Sequence, residues 1–299
     1  MISTRSFKKR VSPSKNADPT VSTATASPLH AAFLARKPSL EQEAGFQVFI
    51  SGLVGPLRIF QREGGHRHSI DDAATAWYAL QHAPGASCCL DLGTGVGSVG
   101  LAVLHGLPRD AHLTCIEAQE VSHQLLVANI ACNGLQDRVT PLFGDLRNLD
   151  LPQKFPLITG SPPYFPAGNG TIPSDTQKAH ARFELRGHVG DYAATARKHL
   201  TPHGRFVFCF PSLQKARCIQ LVEESGLHVS HSRDVHPREN RPSLFTLFCA
   251  RLEPVEKLET EPPFIVADAE GRYTSEMVTF QSSRGFGPDG TNHLERRAS

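Results

Sequence analysis

Apolar runs alternate along the chain with amphipathic stretches, and this alternation predicts a series of strands and helices. Short runs rich in Val, Ile, Leu and Phe between turn residues are typical of buried strands, whereas apolar residues every three or four positions favour helices. The predicted strands are 88–92, 112–117, 138–143, 155–161, 204–210, 228–236 and 243–251. The predicted helices are 97–107, 119–132, 190–200 and 212–225. Strand-to-helix repetition requires right-handed crossovers, so we predict a doubly wound α/β fold whose mostly parallel sheet ends in an antiparallel hairpin.

The segments on either side of this core have a different composition. Residues 1–45 form a basic arm, and because its Ser-, Thr- and Pro-rich sequence cannot build a core, we predict that it is disordered. Residues 46–60 favour one or two short strands or a hairpin, and an alanine-rich helix follows through Leu80. The long polar segment 165–189 is predicted to be a loop that is functional or disordered. The last residues, 281–299, are predicted to be a disordered tail.

Charge is distributed unevenly between the arm and the rest of the chain. The first 40 residues contain seven basic side chains and one acidic side chain, whereas the net charge of the whole chain is only +2. The remainder is therefore acidic. Three interpretations of the arm stay open: a tail that seeks the phosphates of RNA or DNA, a transit peptide for an organelle, or a solvated tail with no specific task.

Cysteine and histidine spacing gives no sign of a metal site. The seven cysteines lie mostly within apolar segments and lack C-x-x-C spacing, which favours small buried side chains in a reducing compartment. H-R-H at 66–68 is the only closely spaced histidine pair, and we predict no metal. No apolar run approaches the roughly 20 residues that cross a bilayer, so we expect a soluble cytoplasmic protein with no membrane partner.

The stretch 88–100, C-C-L-D-L-G-T-G-V-G-S-V-G, predicts a strand, a tight turn and the start of a helix. Glycines permit positive φ angles and a close approach of backbone to ligand, and a helix start offers free N–H groups. These features favour a nucleotide-like ligand. The motif alone is ambiguous, because Gly95, Gly97 and Gly100 also fit the G-x-G-x-x-G pattern of dinucleotide enzymes, with Glu117 at about the spacing of a ribose-binding acid.

A second motif, S-P-P-Y at 161–164, follows a later predicted strand and narrows the choice. The order D-L-G-T-G-V-G, Glu117, Asp145, S-P-P-Y resembles the class I S-adenosylmethionine-dependent amino-methyltransferases, whose fourth motif is N/D/S-P-P-Y/F. Flanking segments are similar to those of the bacterial valine-tRNA adenine-N6 methyltransferases. They are G-G-H-R-H-S-I-D at 64–71, A-R-F-E at 181–184 and D-A-E-G-R-Y-T at 268–274. The resemblance covers about 55–277.

This resemblance implies a domain organisation and a cofactor. A Rossmann-like methyltransferase domain is expected at 46–252, completed by a closing segment at 253–280, with S-adenosyl-L-methionine as cofactor. Ligands of open α/β sheets bind at the carboxyl ends of the strands. At that edge Glu117 is expected to accept hydrogen bonds from the ribose hydroxyls and Asp145 from the adenine amine. Asp91 orients the turn or receives the methionine ammonium through water. The other predicted cofactor-binding residues are Arg67, Gly93, Gly95 and Gly97.

The predicted catalytic residues are Ser161, Pro162, Pro163 and Tyr164. An exocyclic amine conjugated to a base is a poor nucleophile until acceptors beside its N–H groups draw its lone pair out of the π system. The resemblance assigns this task to Ser161 Oγ and the Pro162 carbonyl, and it assigns stacking on the flat substrate to Tyr164. The prolines hold the acceptors in place before the substrate arrives.

Ser161 leaves the identity of the substrate open. Adenine-N6 and glutamine methyltransferases usually have Asn or Asp here, whereas S-P-P-Y/F is familiar from cytosine-N4 enzymes. We predict methylation of adenine N6 in tRNA or another structured RNA, so the expected partner is a nucleic acid, with DNA cytosine and protein glutamine as alternatives. An NAD-dependent oxidoreductase and a non-catalytic RNA-binding protein of the same fold stay open as well.

Overall fold

A mostly parallel β-sheet with helices on both faces forms the centre of the protein. The computed structural model describes residues 27–166 and 175–285. Its strands are β1 (Val48–Val54), β2 (Leu57–Arg62), β3 (Cys88–Leu92), β4 (His112–Glu117), β5 (Val139–Phe143), β6 (Phe155–Gly160), β7 (Leu200–Pro211), β8 (His228–His236), β9 (Phe245–Arg251), β10 (Glu259–Thr260) and β11 (Phe264–Ile265). Its helices are α1 (Pro28–Ala44), α2 (Ile70–His82), α3 (Ser98–Gly106), α4 (Glu120–Cys132), α5 (Thr176–Arg182), α6 (Val189–His199), α7 (Lys215–Glu224) and α8 (Ser275–Ser283).

The order of the strands places a topological switch point beside β3. The sheet runs β10-β8-β9-β7-β6-β3-β4-β5, and β11 also pairs with β8. Strands β3 to β7 pair in parallel, while β9 is antiparallel to both β7 and β8. The chain winds outward from β3 in both directions, so a crevice opens where β3 and β6 end. The predicted α/β class, parallel core and C-terminal antiparallel hairpin are confirmed.

The sheet is buried on both faces because its central strands are apolar at successive positions. Two apolar clusters lie on opposite faces of the sheet, one containing Cys89, Leu113 and Leu157, the other Leu90, Ile116 and Ile158. Neighbouring residues of one strand point to opposite faces, so β3, β4 and β6 each contribute to both clusters. Continuous apolar runs of this kind are typical of parallel strands covered by helices on both sides.

The prediction that residues 1–45 are disordered is wrong for part of this segment, because residues 28–44 form α1. Ser27 caps the helix, Pro28 occupies its first turn, and Gly45 ends it with a left-handed φ of 72°. Phe33 and Leu40 are fully buried, and the Phe33 ring lies 4.6 Å from that of Phe60 in β2. Packing on the rest of the fold therefore orders a segment whose composition alone favoured disorder. Residues 1–26 of the predicted arm lie outside the described residues.

The predicted hairpin before the core is confirmed, with β1 and β2 antiparallel. It is attached to the central domain through two asparagines of α4. Asn129 Oδ1 accepts from the Phe60 amide at 2.6 Å, and Asn133 accepts from the Arg58 amide at 3.1 Å and donates to its carbonyl at 2.7 Å. These side chains supply hydrogen-bond partners to backbone groups that would otherwise be buried without one at the edge of the hairpin.

Two further segments differ from the sequence prediction. The predicted loop 165–189 contains α5, and its residues 167–174 lie outside the described residues. The closing segment contributes β10 and β11 to the edge of the sheet and ends in α8, whose Phe280 packs with Phe264 and Trp77. Residues 281–283 thus belong to a helix, while 286–299 of the predicted tail lie outside the described residues. Among residues 27–166 and 175–285, no helix is long and apolar enough to span a membrane.

Candidate functional site

A cleft opens at the carboxyl ends of β3, β4, β5 and β6, at the topological switch point. Together with its mouth it encloses about 1060 Å³. Gly93, Glu117, Asp145 and Ser161, each from the end of a different strand, lie on its walls. Polar groups converge on the cleft from four adjacent strand ends, an arrangement typical of ligand-binding sites.

The turn between β3 and α3 forms the floor of the cleft. Gly93 and Gly95 have φ angles of 61° and 60°, in the left-handed region that L side chains rarely adopt. A Cβ on Gly93 would overlap the hydroxyl of Tyr192 from α6, whereas the space in front of Gly95 is open to a distance of 4 Å. Glycine is therefore required at position 93 for both conformation and space, and at position 95 it leaves the backbone accessible to a ligand.

Asp91 holds this turn from below. Its carboxylate accepts hydrogen bonds from Thr94 Oγ1 at 2.5 Å, Thr159 Oγ1 at 2.7 Å and the Gly100 amide at 3.0 Å. Burial raises the pKa of Asp91, and these three bonds oppose that shift by stabilising the charged form. Of the two predicted roles, the contacts support orientation of the turn, because the carboxylate oxygens are already occupied by the protein.

Glu117, at the end of β4, lies on the wall of the cleft and is only 5 % exposed. Its carboxylate accepts from the Gly95 amide at 2.8 Å and from the Gln119 amide at 2.6 Å. Burial raises the pKa of this carboxyl group, while the backbone N–H groups lower it. Each oxygen accepts one of these bonds and keeps a further lone pair, so the side chain is a fixed acceptor for a pair of hydroxyls.

Asp145 follows β5 and is partly engaged by a neighbour. Its Oδ1 accepts from the Arg147 amide at 3.0 Å, and its Oδ2 accepts from Arg147 Nη2 at 2.6 Å. The Arg147 guanidinium holds the pKa of Asp145 below its usual range, so the group is ionised at neutral pH. An amine of a bound ligand would share this carboxylate with Arg147.

The S-P-P-Y loop continues directly from β6 and brings Ser161 and Pro163 to the wall of the same cleft. Ser161 Oγ lies 3.6 Å from Cys209 Sγ of β7. The Tyr164 hydroxyl donates to Asp71 Oδ2 at 2.6 Å and lies 3.3 Å from Cys209 Sγ. Burial and the Asp71 carboxylate hold the pKa of Tyr164 well above its usual range, so the phenol keeps its proton. The loop is therefore tied both to β7 and to the first turn of α2.

Comparison with models of protein families finds no match. The chain is 25 % identical over 187 residues to the tRNA1(Val) (adenine(37)-N6)-methyltransferase of Actinobacillus pleuropneumoniae serotype 7, covering 62 % of this chain and 76 % of that protein. It is 30 % identical over 128 residues to the tRNA1(Val) (adenine(37)-N6)-methyltransferase of Porphyromonas gingivalis strain W83, covering 41 % and 49 %.

A solved structure shows the same fold. A protein of Agrobacterium tumefaciens described as a predicted O-methyltransferase aligns with a TM-score of 0.56 and 19 % identity, over 72 % of this chain and 96 % of that one. This likeness confirms the predicted class I methyltransferase fold. The relatives, which are named as methyltransferases, confirm the predicted reaction class and cofactor: the chain is an S-adenosylmethionine-dependent methyltransferase.

The geometry of this methyltransferase also shows why the dinucleotide interpretation fails. In that fold the strand order is 3-2-1-4-5-6. Counted from β3, the order here is 3-2-1-4-5-7-6, because antiparallel β9 inserts between β7 and β8. The second glycine, Gly97, faces packed leucines where the dinucleotide pattern needs an open approach to a pyrophosphate, whereas Gly100 serves packing in either fold. A Cβ on Gly97 would lie 2.9 Å from Leu101 and Leu126, and one on Gly100 would lie 2.9 Å from Asp91 Oδ2.

Several predicted site residues do not face the cleft. The side chain of Arg67 is 62 % exposed, pairs with Glu63 at 3.6 Å and lies over the Phe49 ring at 4.5 Å. The neighbouring histidines His66 and His68 line the cleft instead, because alternate residues of this extended segment point in opposite directions, and the cofactor role of Arg67 stays a prediction. Gly97 begins α3 behind the turn, and Pro162 is buried.

Tyr164 is held by contacts within the protein. Its ring packs edge-on against Phe210, with 6.0 Å between the ring centroids, and contacts both apolar clusters. It does not line the cleft. Its hydroxyl bond to Asp71 gives it a second task, since it fixes the S-P-P-Y loop relative to α2. The predicted stacking on a substrate stays a prediction.

The structure adds cleft residues that sequence motifs did not single out: His66, His68, Asp72, Gln177, His180, Arg186 and Tyr192. Two of them, Gln177 and His180, come from α5, inside the segment predicted to be a loop. The pattern of apolar and polar residues did not predict this helix or its two site residues, since α5 is short and polar. Arg186 donates to the Ala118 carbonyl at 2.9 Å and places a positive charge near Glu117 and Asp145.

Three of these side chains have buried polar atoms with no hydrogen-bond partner in the part of the chain that the structure describes. They are His68 Nδ1, His180 Nδ1 and Gln177 Oε1. Unpaired buried polar atoms are rare in folded proteins and indicate groups that bind a ligand or water. With the acidic strand ends and the open glycine turn, they fit a nucleoside-bearing cofactor and a polar substrate side by side.

Proposed function

We propose that this methyltransferase transfers the methyl group of S-adenosylmethionine to an exocyclic amino nitrogen, adenine N6 in a tRNA or another structured RNA. The observation that carries the proposal is the position of the S-P-P-Y loop, which brings Ser161 to the wall of the cleft at the strand end next to the glycine turn. The curated relatives, which are named as adenine-N6 methyltransferases of a valine tRNA, support the choice of base.

The cofactor half of the cleft is built from the ends of β3, β4 and β5. Glu117 accepts hydrogen bonds from the ribose hydroxyls, Asp145 accepts from the adenine amine, and the open backbone at Gly95 allows close approach of the chain. S-adenosylmethionine, when bound, supplies a methyl group activated by its positively charged sulfur. Tyr192 closes the cleft beside Gly93, and burial together with the nearby Glu117 raises the pKa of its hydroxyl, which stays a neutral donor.

Ser161 lines the substrate half of the cleft; the Pro162 ring is buried, and its carbonyl is the second acceptor that we assign. We infer that these acceptors bind the two hydrogens of the target amine, which draws the nitrogen lone pair out of the base and aims it at the methyl group. The prolines limit the motion of the loop, so the acceptors need little reorganisation when the substrate arrives. No dedicated base is required before the transfer, and the proton that the alkylated nitrogen releases passes to water. Most of the rate then comes from positioning.

Basic side chains on α5 and just after it form a rim that suits a phosphate backbone. Arg182 and Arg186 are exposed, and the charges of Lys178 and Arg182 act on His66 at the cleft. Arg182 also lies over the Phe165 ring at 5.7 Å. Arginines beside an aromatic ring at the mouth of a cleft are suited to bind a phosphate and a splayed base of RNA.

Methyl transfer from labelled S-adenosylmethionine to pools of total RNA, DNA and protein tests this proposal. We expect label in small RNA as N6-methyladenosine, with a rate that falls at least tenfold in Ser161→Ala because one acceptor of the amine is lost. The control is Ser275→Ala, which removes an exposed hydroxyl at the start of α8 and should transfer at the wild-type rate.

The same experiment separates the other substrates. Serine at 161 also suits a cytosine amine, so label in DNA as N4-methylcytosine, or in protein as methylglutamine, would replace adenine while keeping the chemistry of the loop. Label in none of the pools, with tight cofactor binding by calorimetry, would show that the fold has kept its cofactor and lost turnover. Equal rates in Ser161→Ala and wild type would contradict the role of the loop.

A further inference from the structure

Two histidines and a cysteine that are far apart in sequence meet at the end of the molecule opposite the cleft. His82 is the last residue of α2, His231 lies in β8, and Cys249 lies in β9. One nitrogen of each imidazole and the thiol sulfur lie within 4.8 Å of one another. His231 and Cys249 are register partners in the antiparallel pair, so their side chains leave the same face of the sheet.

Acidic groups surround this cluster. Glu261 Oε1 lies 3.6 Å from His82 Nε2, and Glu259 Oε2 lies 3.3 Å from His231 Nε2. His82 also ends a helix, where the backbone carbonyls carry a partial negative charge that favours a cation. Two basic groups oppose this: Arg205 acts on His82 and Cys249, and Arg251 acts on Cys249, but the Arg205 guanidinium is directed to the His203 carbonyl at 2.8 Å. The surroundings are therefore suited to a positively charged ligand.

We propose that His82, His231 and Cys249 bind a zinc ion, with the Glu261 carboxylate as the fourth ligand. Zinc in proteins is tetrahedral, with about 2.0 to 2.3 Å between the ion and its N, O or S donors. Donors around one ion therefore lie roughly 3.3 to 3.8 Å apart. The three His and Cys donor atoms lie up to 4.8 Å apart and must approach one another by up to about 1 Å, which side-chain rotation supplies. Glu261, whose Oε1 now accepts from the Tyr78 hydroxyl at 2.5 Å, must rotate toward them as well. On binding, the Cys249 thiol releases its proton to water, and both histidines bind as neutral imidazoles.

The donor set selects the metal. Imidazole, thiolate and carboxylate together suit zinc, whereas magnesium and calcium prefer sites made of oxygen donors alone. The sequence prediction of no metal rested on short spacings such as C-x-x-C. Donors at 82, 231 and 249 have no such spacing, because a helix end and two strands bring them together.

The site is separate from the catalytic cleft. α2 begins at Ile70 beside the cleft and ends at His82, and a helix rises about 1.5 Å per residue, so its two ends are roughly 18 Å apart. A zinc ion there would join the end of α2, the edge of the sheet and the segment that follows β10. Its role is structural: it fixes the helix whose first turn holds Tyr164 through Asp71.

Metal content of the full-length protein tests the proposal directly. We expect the purified chain to retain close to one equivalent of zinc by elemental mass spectrometry, and a chelator-treated chain to recover a higher thermal midpoint on addition of Zn²⁺. Substitution with Co²⁺ should give the charge-transfer absorption of a cobalt–thiolate bond. Cys249→Ala and His231→Gln should each lower zinc affinity at least tenfold, as is usual when a ligand is removed.

The control is Cys218→Ala, which removes another buried thiol, from α7, outside the cluster. It should keep both the zinc and the cobalt absorption. Where Cys249→Ala does not fold, His82→Gln, a half-buried position at the end of a helix, tests the same site. The proposal is overturned by a folded wild type that takes up no stoichiometric zinc, by cobalt binding without the thiolate absorption, or by unchanged affinity in His82→Gln and His231→Gln. None of these readouts depends on methyl transfer.

Discussion

At the scale of single residues, the site depends on side chains whose contacts within the protein are made before any ligand binds. Glu117 is bonded to the Gly95 and Gln119 amides, and Asp91 to Thr94, Thr159 and the Gly100 amide. Both carboxylates are buried and held by these contacts, so neither needs to rearrange when a ligand enters the cleft. Changes at these positions should therefore affect cofactor binding more than the stability of distant elements.

Glu117→Gln should weaken binding of S-adenosylmethionine at least tenfold. The amide keeps one acceptor oxygen, so it cannot bond both backbone N–H groups and both ribose hydroxyls, and an unpaired buried group costs about 1 to 3 kcal/mol. Calorimetric titration of the cofactor measures the change. Glu120→Gln, at an exposed position in the first turn of α4, is the control and should bind like wild type. Equal affinity in both variants would argue against Glu117 as the ribose acceptor.

Tyr164→Phe should lower the rate of methyl transfer with little change in cofactor affinity. The variant keeps the ring that packs on Phe210 but loses the hydrogen bond to Asp71, which frees the S-P-P-Y loop to shift; small misplacements of reacting groups cost up to about 10²-fold in rate. Single-turnover kinetics and calorimetry separate the two quantities. Tyr273→Phe, at a half-exposed position, should behave as wild type. A loss confined to cofactor affinity would contradict this role.

At the scale of elements, α1 shows how far packing outweighs composition. Its sequence carries two basic and two acidic side chains and shows little periodicity, so no apolar stripe marks it as a helix. The helix forms because its caps satisfy the terminal N–H and C=O groups, and because Phe33 and Leu40 bury their side chains against the rest of the fold. The stability of α1 therefore comes from its contacts with the rest of the fold and not from the helix propensity of its own sequence.

Phe33→Ala should lower the free energy of unfolding by about 3 to 5 kcal/mol, since it removes a fully buried ring that packs on Phe60. Urea denaturation followed by circular dichroism measures the loss. The next residue offers a matched control: Leu34 is 50 % exposed, and Leu34→Ala should change stability by less than about 0.5 kcal/mol. Similar effects at the two positions would mean that α1 does not pack as described.

At the scale of the whole molecule, buried imidazoles make stability depend on pH. Burial lowers the pKa of several histidines in different parts of the fold, namely His68, His82, His123, His180 and His199. Each takes up a proton more readily in the unfolded chain than in the folded one. Above the unfolded pKa of about 6.5 these histidines are neutral in both states and do not reduce the free energy of unfolding. As pH falls from there toward the folded pKa, the unfolded chain takes up protons first and the free energy of unfolding decreases. Asp72, whose pKa burial and Asp71 raise to about 8, has the opposite dependence.

His68→Gln should reduce this acid sensitivity. Burial lowers the pKa of His68 to about 4, so wild type should lose about 1 to 2 kcal/mol through this residue between pH 7 and pH 5, whereas glutamine takes up no proton. Urea midpoints at the two pH values, compared between variant and wild type, give the difference. His112→Gln, at an exposed position, should leave the pH dependence unchanged. An equal slope in His68→Gln and wild type would contradict the shift.

The sequence by itself determined the core strands, the helices between them and the acidic positions at the strand ends. These features follow from local rules: apolar runs form buried strands, glycines at 93 and 95 permit positive φ, and an acid that follows a strand in such a fold lies at the carboxyl edge of the sheet. The S-P-P-Y loop was predictable for the same reason, since it continues directly from β6.

Only the tertiary structure decided which side chains meet. Arg67 points to solvent while His66 and His68 line the cleft, Tyr164 bonds to Asp71 from α2, and α5 supplies Gln177 to the site. The cluster of His82, His231 and Cys249 joins three separate elements. Such contacts depend on how helices and strands pack across the sheet. The spacing of residues along the chain does not encode the distances between such side chains, because these distances are set by how apolar faces from the whole fold are buried together.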